Sequence, residues 1–228
     1  MTLVKICGIQ RLDNALAAAE AGADFIGLVF VPKRRRRVSV ETAKSIVRGL
    51  KAATSSPPRI VGLFADQPLE EVKHTIEDCG LELAQLCGQE TLDYCSQVSA
   101  QVIKVLHIPW ASLERHSGAA VGDGDINRLA ETIEMYRSAG HLVNLDRLVE
   151  GLQGGTGQSF DWSIAAQLSE RGHSFLLAGG LTTENVALAV ATARPWGVDV
   201  STGVETDGVK DPHKIRTFIR QARQRNRI

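Results

Sequence analysis

Apolar and polar positions along this chain follow two alternating periods, which predicts a repeated order of strand and helix. Short apolar runs typical of buried strands lie at 3–7, 24–30, 59–64, 82–86, 102–106, 141–145, 174–178 and 197–200. Between them, apolar residues recur at helical spacing near 11–21, 40–52, 68–79, 89–98, 125–139, 161–171, 182–193 and 211–225. Eight such units favour a closed parallel barrel, with an open doubly wound sheet as the alternative. The predicted fold class is α/β, a single (β/α)8 TIM barrel that forms one domain over residues 1–228.

Local signals support several of these boundaries. Asp66-Gln-Pro68, Thr182-Thr-Glu184 and Asp211-Pro212 are typical of helix starts, and Asp161 is interpreted in the same way. Segment 107–124 contains one proline and three glycines, so it is predicted to be a loop.

Composition narrows the class of protein. The apolar fraction is 43% and Lys plus Arg equals Asp plus Glu at 26 each, so no net field favours nucleic acid or a membrane surface. No apolar run approaches a membrane span in length, and the amino terminus lacks a signal-peptide pattern. The cysteines form no Cys-x-x-Cys pair, which fits a reduced cytoplasmic setting; they are Cys7, Cys79, Cys87 and Cys95. The histidines show no metal-ligand spacing, so no metal is expected.

Three glycine-rich patches follow strand-like runs in the second half of the chain: residues 151–157, 178–181 and 201–204. Glycine lets the backbone approach an anion closely, and late loops of a (β/α)8 barrel commonly bind phosphate. Tight turns are the plainer interpretation, but three patches at late strand ends favour a phosphate site. The predicted contacts come from Gly155, Thr156, Gly157, Gly179, Gly180, Ser201, Thr202 and Gly203.

Candidate chemical groups lie at other strand ends, where barrel active sites form. The first strand ends in Cys7, the sixth at Asp146, and the eighth carries Asp199. Strand alternation places Lys5 on the same face as Cys7, and Asn144 on the same face as Asp146. Taken alone, a cysteine at a strand end is a small buried hydrophobe and an aspartate is a turn former.

A basic run, Lys33 to Arg37, follows the second strand. Such a run could be a nucleic-acid patch, but within a neutral protein and a short loop it more plausibly faces an anionic ligand or solvent.

The ordered set of motifs resembles the phosphoribosylanthranilate isomerase family and covers nearly the whole chain. The residues that carry this resemblance are Lys5-Ile-Cys-Gly-Ile9, Gly27-Leu-Val-Phe30, Pro32-Lys33, Arg36, Val61-Gly-Leu-Phe64, Gln85-Leu86, Gly88, Leu145-Asp146, Gly154-Gly-Thr-Gly157, Phe160-Asp-Trp162, Ala178-Gly-Gly-Leu181, Gly197-Val-Asp-Val-Ser201 and Gly203-Val-Glu205. Four sites depart from the pattern usual in that family: Gln10 replaces Thr, Arg34-Arg35 replaces Ser-Pro, Cys87 replaces His and Asn144 replaces Leu.

The resemblance implies an enzyme of tryptophan biosynthesis that uses neither metal nor organic cofactor. Its substrate would be a phosphorylated small molecule, rearranged with Cys7 as general base and Asp146 as general acid. Arg36 would bind the anthranilate moiety and Asp199 would orient polar groups of the substrate. Members occur as monomers and homodimers, and neither nucleic acid nor membrane is an expected partner.

These roles set electrostatic requirements. Asp146 must be protonated when it acts, which requires a pKa above the ordinary value of about 4. Cys7 must become a thiolate at least transiently, and Lys5 is predicted to favour that form. The rivals are another phosphosugar enzyme, such as indole-glycerol-phosphate synthase or an epimerase, and a phosphosugar-binding protein that has lost catalysis.

Overall fold

The computed structural model describes residues 1–108, 123–147 and 162–224. Within these ranges the eight predicted strands are all present: β1 (Leu3–Cys7), β2 (Phe25–Val29), β3 (Arg59–Phe64), β4 (Leu83–Leu86), β5 (Gln101–Ile108), β6 (Leu142–Arg147), β7 (Leu176–Leu177) and β8 (Gly197–Val200). They pair in chain order, each parallel to the next. The register Lys5↔Asp199 joins β8 to β1 and closes the barrel. Closure excludes the open-sheet alternative.

Helices follow the strands as the periodicity predicts. The described ones are α1 (Leu12–Glu20), α2 (Val40–Ala53), α3 (Leu69–Cys79), α4 (Leu92–Gln97), α5 (Asp123–Ser138), α6 (Ser163–Glu170), α7 (Val186–Ala193) and α8 (Pro212–Ala222). Side-chain caps fix several starts, and Asp211 accepts hydrogen bonds from the amides of His213 and Lys214 as predicted. Asp161 and most of the predicted 107–124 loop lie outside the described residues.

Two helices, α4 and α7, begin three or four residues later than predicted because local side chains satisfy the backbone in another way. The segment before α7 is a turn, in which Asn185 accepts from the amide of Thr182 and Thr182 accepts from the amide of Glu184. Before α4, Glu90 is buried and accepts from the amides of Asp66 and Gly88. Both segments are therefore loops at the barrel rim.

The apolar side chains form two layers, as a parallel sheet covered by helices requires. The larger lies between strands and helices and includes Ile26, Leu50 and Phe218. The smaller fills the barrel interior and includes Phe25, Val61 and Leu83, with Cys7 at its upper edge. This inner cluster identifies which face of each strand points inward.

Polar residues interrupt the inner cluster at one level. Successive strands of such a barrel are displaced by about one residue, so inward side chains of alternate strands form layers. The pairing registers place Gly27, Gln85, Asn144 and Asp199 in one layer. The three polar residues of this layer, Gln85, Asn144 and Asp199, are each at most 7% exposed. The barrel thus has a buried polar layer beneath its carboxyl-terminal rim.

Candidate active site

Cys7 and Asp146 lie at the same rim, on the inward faces of β1 and β6. Two residues above the polar layer, the same registers place Val29, Cys87, Asp146 and Ser201 at one level. Cys7 belongs to the alternate strands and lies between those two levels. The sequence predicts that the Cys7 thiol and the Asp146 carboxyl group converge at one rim, and the structure has both groups there.

Burial and charge act in opposite directions on Cys7, which is 7% exposed. Burial raises the pKa of the thiol above its ordinary value, the Lys5 ammonium opposes that rise, and the Asp199 carboxylate adds to it. The direction predicted for Lys5 is therefore the one found, although burial outweighs it.

Lys5 is fully buried inside the barrel, where the Asp199 carboxylate balances its positive charge. Its Nζ donates to Oδ2 of Asp199 at 2.8 Å. Burial works to lower the pKa of Lys5, but the Asp199 carboxylate, with a further contribution from Cys7 in its ionised form, outweighs it, so the lysine stays protonated. The ion pair joins the first and last strands of the barrel.

Asp199 also accepts a hydrogen bond from the side-chain amide of Asn144. Nδ2 of Asn144 donates to the same Oδ2 at 2.9 Å. The Asp199 carboxylate therefore lies between Asn144 and Lys5. This carboxylate thus has two hydrogen-bond partners among the described residues, Lys5 and Asn144. Its predicted contact with substrate stays a prediction.

Cys87 stands beside the two predicted catalytic groups. Burial raises the pKa of its thiol to about 12, with smaller contributions from Cys7 and Asp146. A hydrogen bond of 3.6 Å from Nε2 of Gln85 opposes that rise. Cys87 is therefore a neutral thiol at the level of Asp146.

The Arg36 side chain crosses the top of β1. It lies so close to the backbone there that a side chain at Gly8 would collide with Cδ of Arg36. Its guanidinium is held by Glu205 in a bidentate pair, Nε to Oε1 at 2.6 Å and Nη2 to Oε2 at 2.9 Å. The Arg35 guanidinium donates to the same Oε2 at 2.6 Å, and Gln10 donates to the Arg35 carbonyl at 3.3 Å. Two of the unusual residues of this chain therefore help to fix the loop that carries Arg36.

Glu205 is the centre of a charged cluster that the sequence analysis did not predict. Its Oε1 also accepts from Nζ of Lys210 at 2.7 Å, and Lys210 donates to the Ser201 carbonyl at 2.9 Å. Burial acts to raise the Glu205 pKa, but hydrogen bonds from Arg36, Lys210 and Arg35 lower it to about 2. Glu205 is therefore a carboxylate at every physiological pH.

A sequence signal for this cluster exists in the dipeptide Asp207-Gly208. Both residues have positive φ, 50° and 79°. They form the turn of a short hairpin, β9 (Glu205–Thr206) and β10 (Val209–Lys210), and Asp-Gly is a preferred pair in such turns. The hairpin folds Lys210 back over the end of β8.

Two of the three predicted phosphate loops are adjacent. A side chain at Gly203 would collide with the carbonyl oxygen of Leu181, so the loop after β8 packs directly on the loop after β7. Gly179 and Gly180 have φ of 88° and 71°, which favours glycine, and residues 202–204 form a 3-10 turn that begins at Thr202. Gly155, Thr156 and Gly157 lie outside the described residues.

Among the described residues, no group of three or more His, Cys, Asp and Glu side chains is arranged to hold a metal ion. No helix in the same ranges has the length and apolar character needed to cross a membrane.

A closed parallel barrel with a thiol, a carboxyl group and a fixed arginine on its carboxyl-terminal rim defines a (β/α)8-barrel enzyme. A family model described as N-(5'phosphoribosyl)anthranilate (PRA) isomerase matches residues 4–221. The chain belongs to the N-(5'-phosphoribosyl)anthranilate isomerase family.

Individual relatives agree with that assignment. The chain is 39% identical over 223 residues to N-(5'-phosphoribosyl)anthranilate isomerase of Dehalococcoides mccartyi, covering 98% of this chain and 96% of the relative. It is 43% identical over 226 residues to that of Desulforudis audaxviator, covering 98% and 99%. The phosphoribosyl anthranilate isomerase of Thermotoga maritima superposes with a TM-score of 0.80 at 32% identity, covering 97% and 98%. A similar structure holds reduced 1-(o-carboxyphenylamino)-1-deoxyribulose 5-phosphate, with a TM-score of 0.76 at 32% identity, covering 97% and 98%.

Proposed function

We propose that this chain converts N-(5-phosphoribosyl)anthranilate to 1-(2-carboxyphenylamino)-1-deoxyribulose 5-phosphate, with Cys7 as general base and Asp146 as general acid. The reaction is an Amadori rearrangement in tryptophan biosynthesis. The observation that carries the assignment is the placement of these two groups, distant in sequence, on inward faces at one rim of the barrel. Family membership supplies the reaction.

The chemistry divides between the two groups. Asp146 gives its proton to the ribose ring oxygen as the C1–O bond breaks, and the nitrogen lone pair forms the C=N bond of a protonated imine. Cys7 then takes the proton from C2, and the electron pair of that bond forms the enolamine. A proton then returns to C1 while the C2 hydroxyl group loses its proton, which completes the ketose. Each positioned acid or base typically contributes about 10²–10⁴-fold to such a rate.

The raised pKa of Cys7 suits a base that works transiently. A thiolate formed in a buried site is more basic than one in water, so it takes a carbon-bound proton with a larger driving force. Lys5 beneath it limits the cost of forming that charge. The proton balance requires Asp146 to hold its proton until the ring opens.

Substrate anions are placed by groups on the same rim. The loops containing Gly179, Gly180 and residues 201–203 offer backbone amides to the phosphate, and the 154–157 loop is proposed to join them. Arg36 meets the anthranilate moiety. Because Glu205 occupies its Nε and Nη2 edge, Arg36 is left with Nη1 and the faces of the guanidinium plane for the carboxylate or ring.

We further propose that the chain is one domain that acts in the cytoplasm as a monomer or homodimer, without metal or organic cofactor. The family match over residues 4–221 supports one domain. The isomerase of Thermotoga maritima is dimeric, and a structure of monomers generated from it is also similar to this chain. Both states are therefore compatible with the family fold.

The test is loss of activity in Cys7→Ala and Asp146→Ala, measured as kcat and as rescue of a tryptophan auxotroph that lacks the isomerase. Cys95→Ala is the matched control, because Cys95 is buried on α4 in the apolar layer between strands and helices, not in the inner cluster that contains Cys7. We expect losses of at least about 10²-fold for each catalytic variant. Both variants should still bind the reduced product analogue. Wild-type activity in both variants would refute the assigned roles, and an inactive wild type that binds the analogue would indicate a binding protein.

A further inference from the structure

Asn144 lies on β6, the strand that carries the proposed acid Asp146, and contacts the charged pair beneath the proposed base Cys7. Its side chain is 1% exposed and lies one inward position below Asp146 on β6. Oδ2 of Asp199 accepts both from Nδ2 of Asn144 at 2.9 Å and from Nζ of Lys5 at 2.8 Å. One carboxylate oxygen thus joins strands β1, β6 and β8.

We propose that Asn144 is a positioning residue for the general base, acting through Asp199 and Lys5. It holds the carboxylate in place, keeps the Lys5 ammonium beneath Cys7, and offsets part of the negative field of Asp199 at the thiol. The proposal rests on the role of Cys7 proposed above.

The sign of the effect follows from the charges around Cys7. The groups that face it are Lys5 on β1, Asp199 on β8 and Lys210 on β10, with Cys87, the residue after β4, nearby. The two lysines favour the thiolate and Asp199 opposes it. An amide N–H pointing at Asp199 offsets part of that carboxylate's charge. Its removal leaves more negative potential at Cys7, so formation of the thiolate becomes harder.

A purely structural role makes a different prediction. Oδ1 of Asn144 is buried without a partner among the described residues, and such an atom costs about 1–3 kcal/mol. Replacement of the amide by leucine removes that cost as well as the hydrogen bond. Stability is therefore a poor reporter of what Asn144 does, and the titration of Cys7 is the decisive one.

The experiment uses the full chain carrying Asn144→Leu. The rate of alkylation of Cys7 by iodoacetamide is measured across pH by mass spectrometry of the Cys7 peptide. We expect the apparent pKa to rise by about one unit, which slows alkylation about tenfold at neutral pH. The rising limb of kcat/KM should move to higher pH in step. Asn144→Ala, which cannot overfill the layer, should shift the titration in the same direction.

Gln85→Leu is the matched control, since it makes the same amide-to-leucine change in the same layer. Gln85 donates to Sγ of Cys87 at 3.6 Å, and its Oε1 has no hydrogen-bond partner among the described residues. It should alter the reactivity of Cys87 and leave the Cys7 titration within about 0.3 units of wild type, a shift worth about 0.4 kcal/mol by the constant of about 1.4 kcal/mol per unit.

An unchanged Cys7 titration in both Asn144 variants would overturn the inference. An equal shift in Gln85→Leu would also overturn it, because the effect would then belong to the layer as a whole. Activity that survives Cys7→Ala would instead refute the proposed function, so the two failures can be told apart.

Discussion

Replacing Glu205 by glutamine tests whether the charged cluster on the rim is a source of stability and substrate affinity. The side chain of Glu205 is 6% exposed and accepts hydrogen bonds from Arg36, Arg35 and Lys210. Glutamine keeps the size of the residue and removes its charge. The three cations would then lose their shared counterion.

The magnitude follows from the pKa. Lowering the carboxyl pKa from 4.5 to about 2 corresponds to about 3 kcal/mol of stabilisation at neutral pH, at about 1.4 kcal/mol per unit. Because the folded-state pKa is lowered, this stabilisation is present above pH 4.5 and is lost as the pH falls towards 2. Glu205→Gln should therefore lower the free energy of unfolding by about 3 kcal/mol at neutral pH. Near pH 2 the same substitution should lower it by much less. KM should rise more than kcat falls, because Arg36 loses its anchor.

The assay is urea denaturation followed by circular dichroism at several pH values, with steady-state kinetics alongside. Glu82→Gln is the control, since Glu82 pairs with Arg59 at 3.6 Å and its side chain is 44% exposed. An exposed pair of that kind contributes about 0–1 kcal/mol. A loss in Glu205→Gln no larger than in the control, or one that does not change with pH, would refute the electrostatic reasoning.

Two further perturbations probe the rim. Lys104→Met breaks a buried pair with Glu90 (2.7 Å) and should cost about 3–5 kcal/mol in urea denaturation; a cost below about 1 kcal/mol would contradict the pair's burial. Gly203→Ala should force the loop after β8 away from the Leu181 carbonyl, costing about 1–3 kcal/mol and weakening inorganic phosphate as a competitive inhibitor. Gly124→Ala, which meets no neighbour within 4 Å, is the matched control, and unchanged inhibition in Gly203→Ala would remove this loop from the phosphate site.

The alternation of apolar periods predicted the fold well, because a parallel barrel repeats one local pattern. Strands β1, β3 and β8 have the predicted bounds without change. The later starts of α4 and α7 were missed because Glu90 and Asn185 bond to loop amides, which depends on contacts that periodicity does not report. The hairpin after β8 was missed although Asp207-Gly208 signalled it.

The candidate site divides in the same way. Strand alternation alone placed Lys5 beneath Cys7, because side chains two residues apart share a face. It could not place Asp199 between Lys5 and Asn144, since that requires the strand order and the register of closure. The anchoring of Arg36 on Glu205, 169 residues away in the chain, has the same origin.

The sequence by itself determined the order of elements, which residues of each strand share a face, and the residue types available at each strand end. These depend on local periodicity and on covalent geometry, which every residue carries with it. Tertiary structure decided which of those residues meet. Closure of the barrel brings β1, β6 and β8 together around one carboxylate, and the balance of burial and charge at Cys7 exists only in that enclosed space.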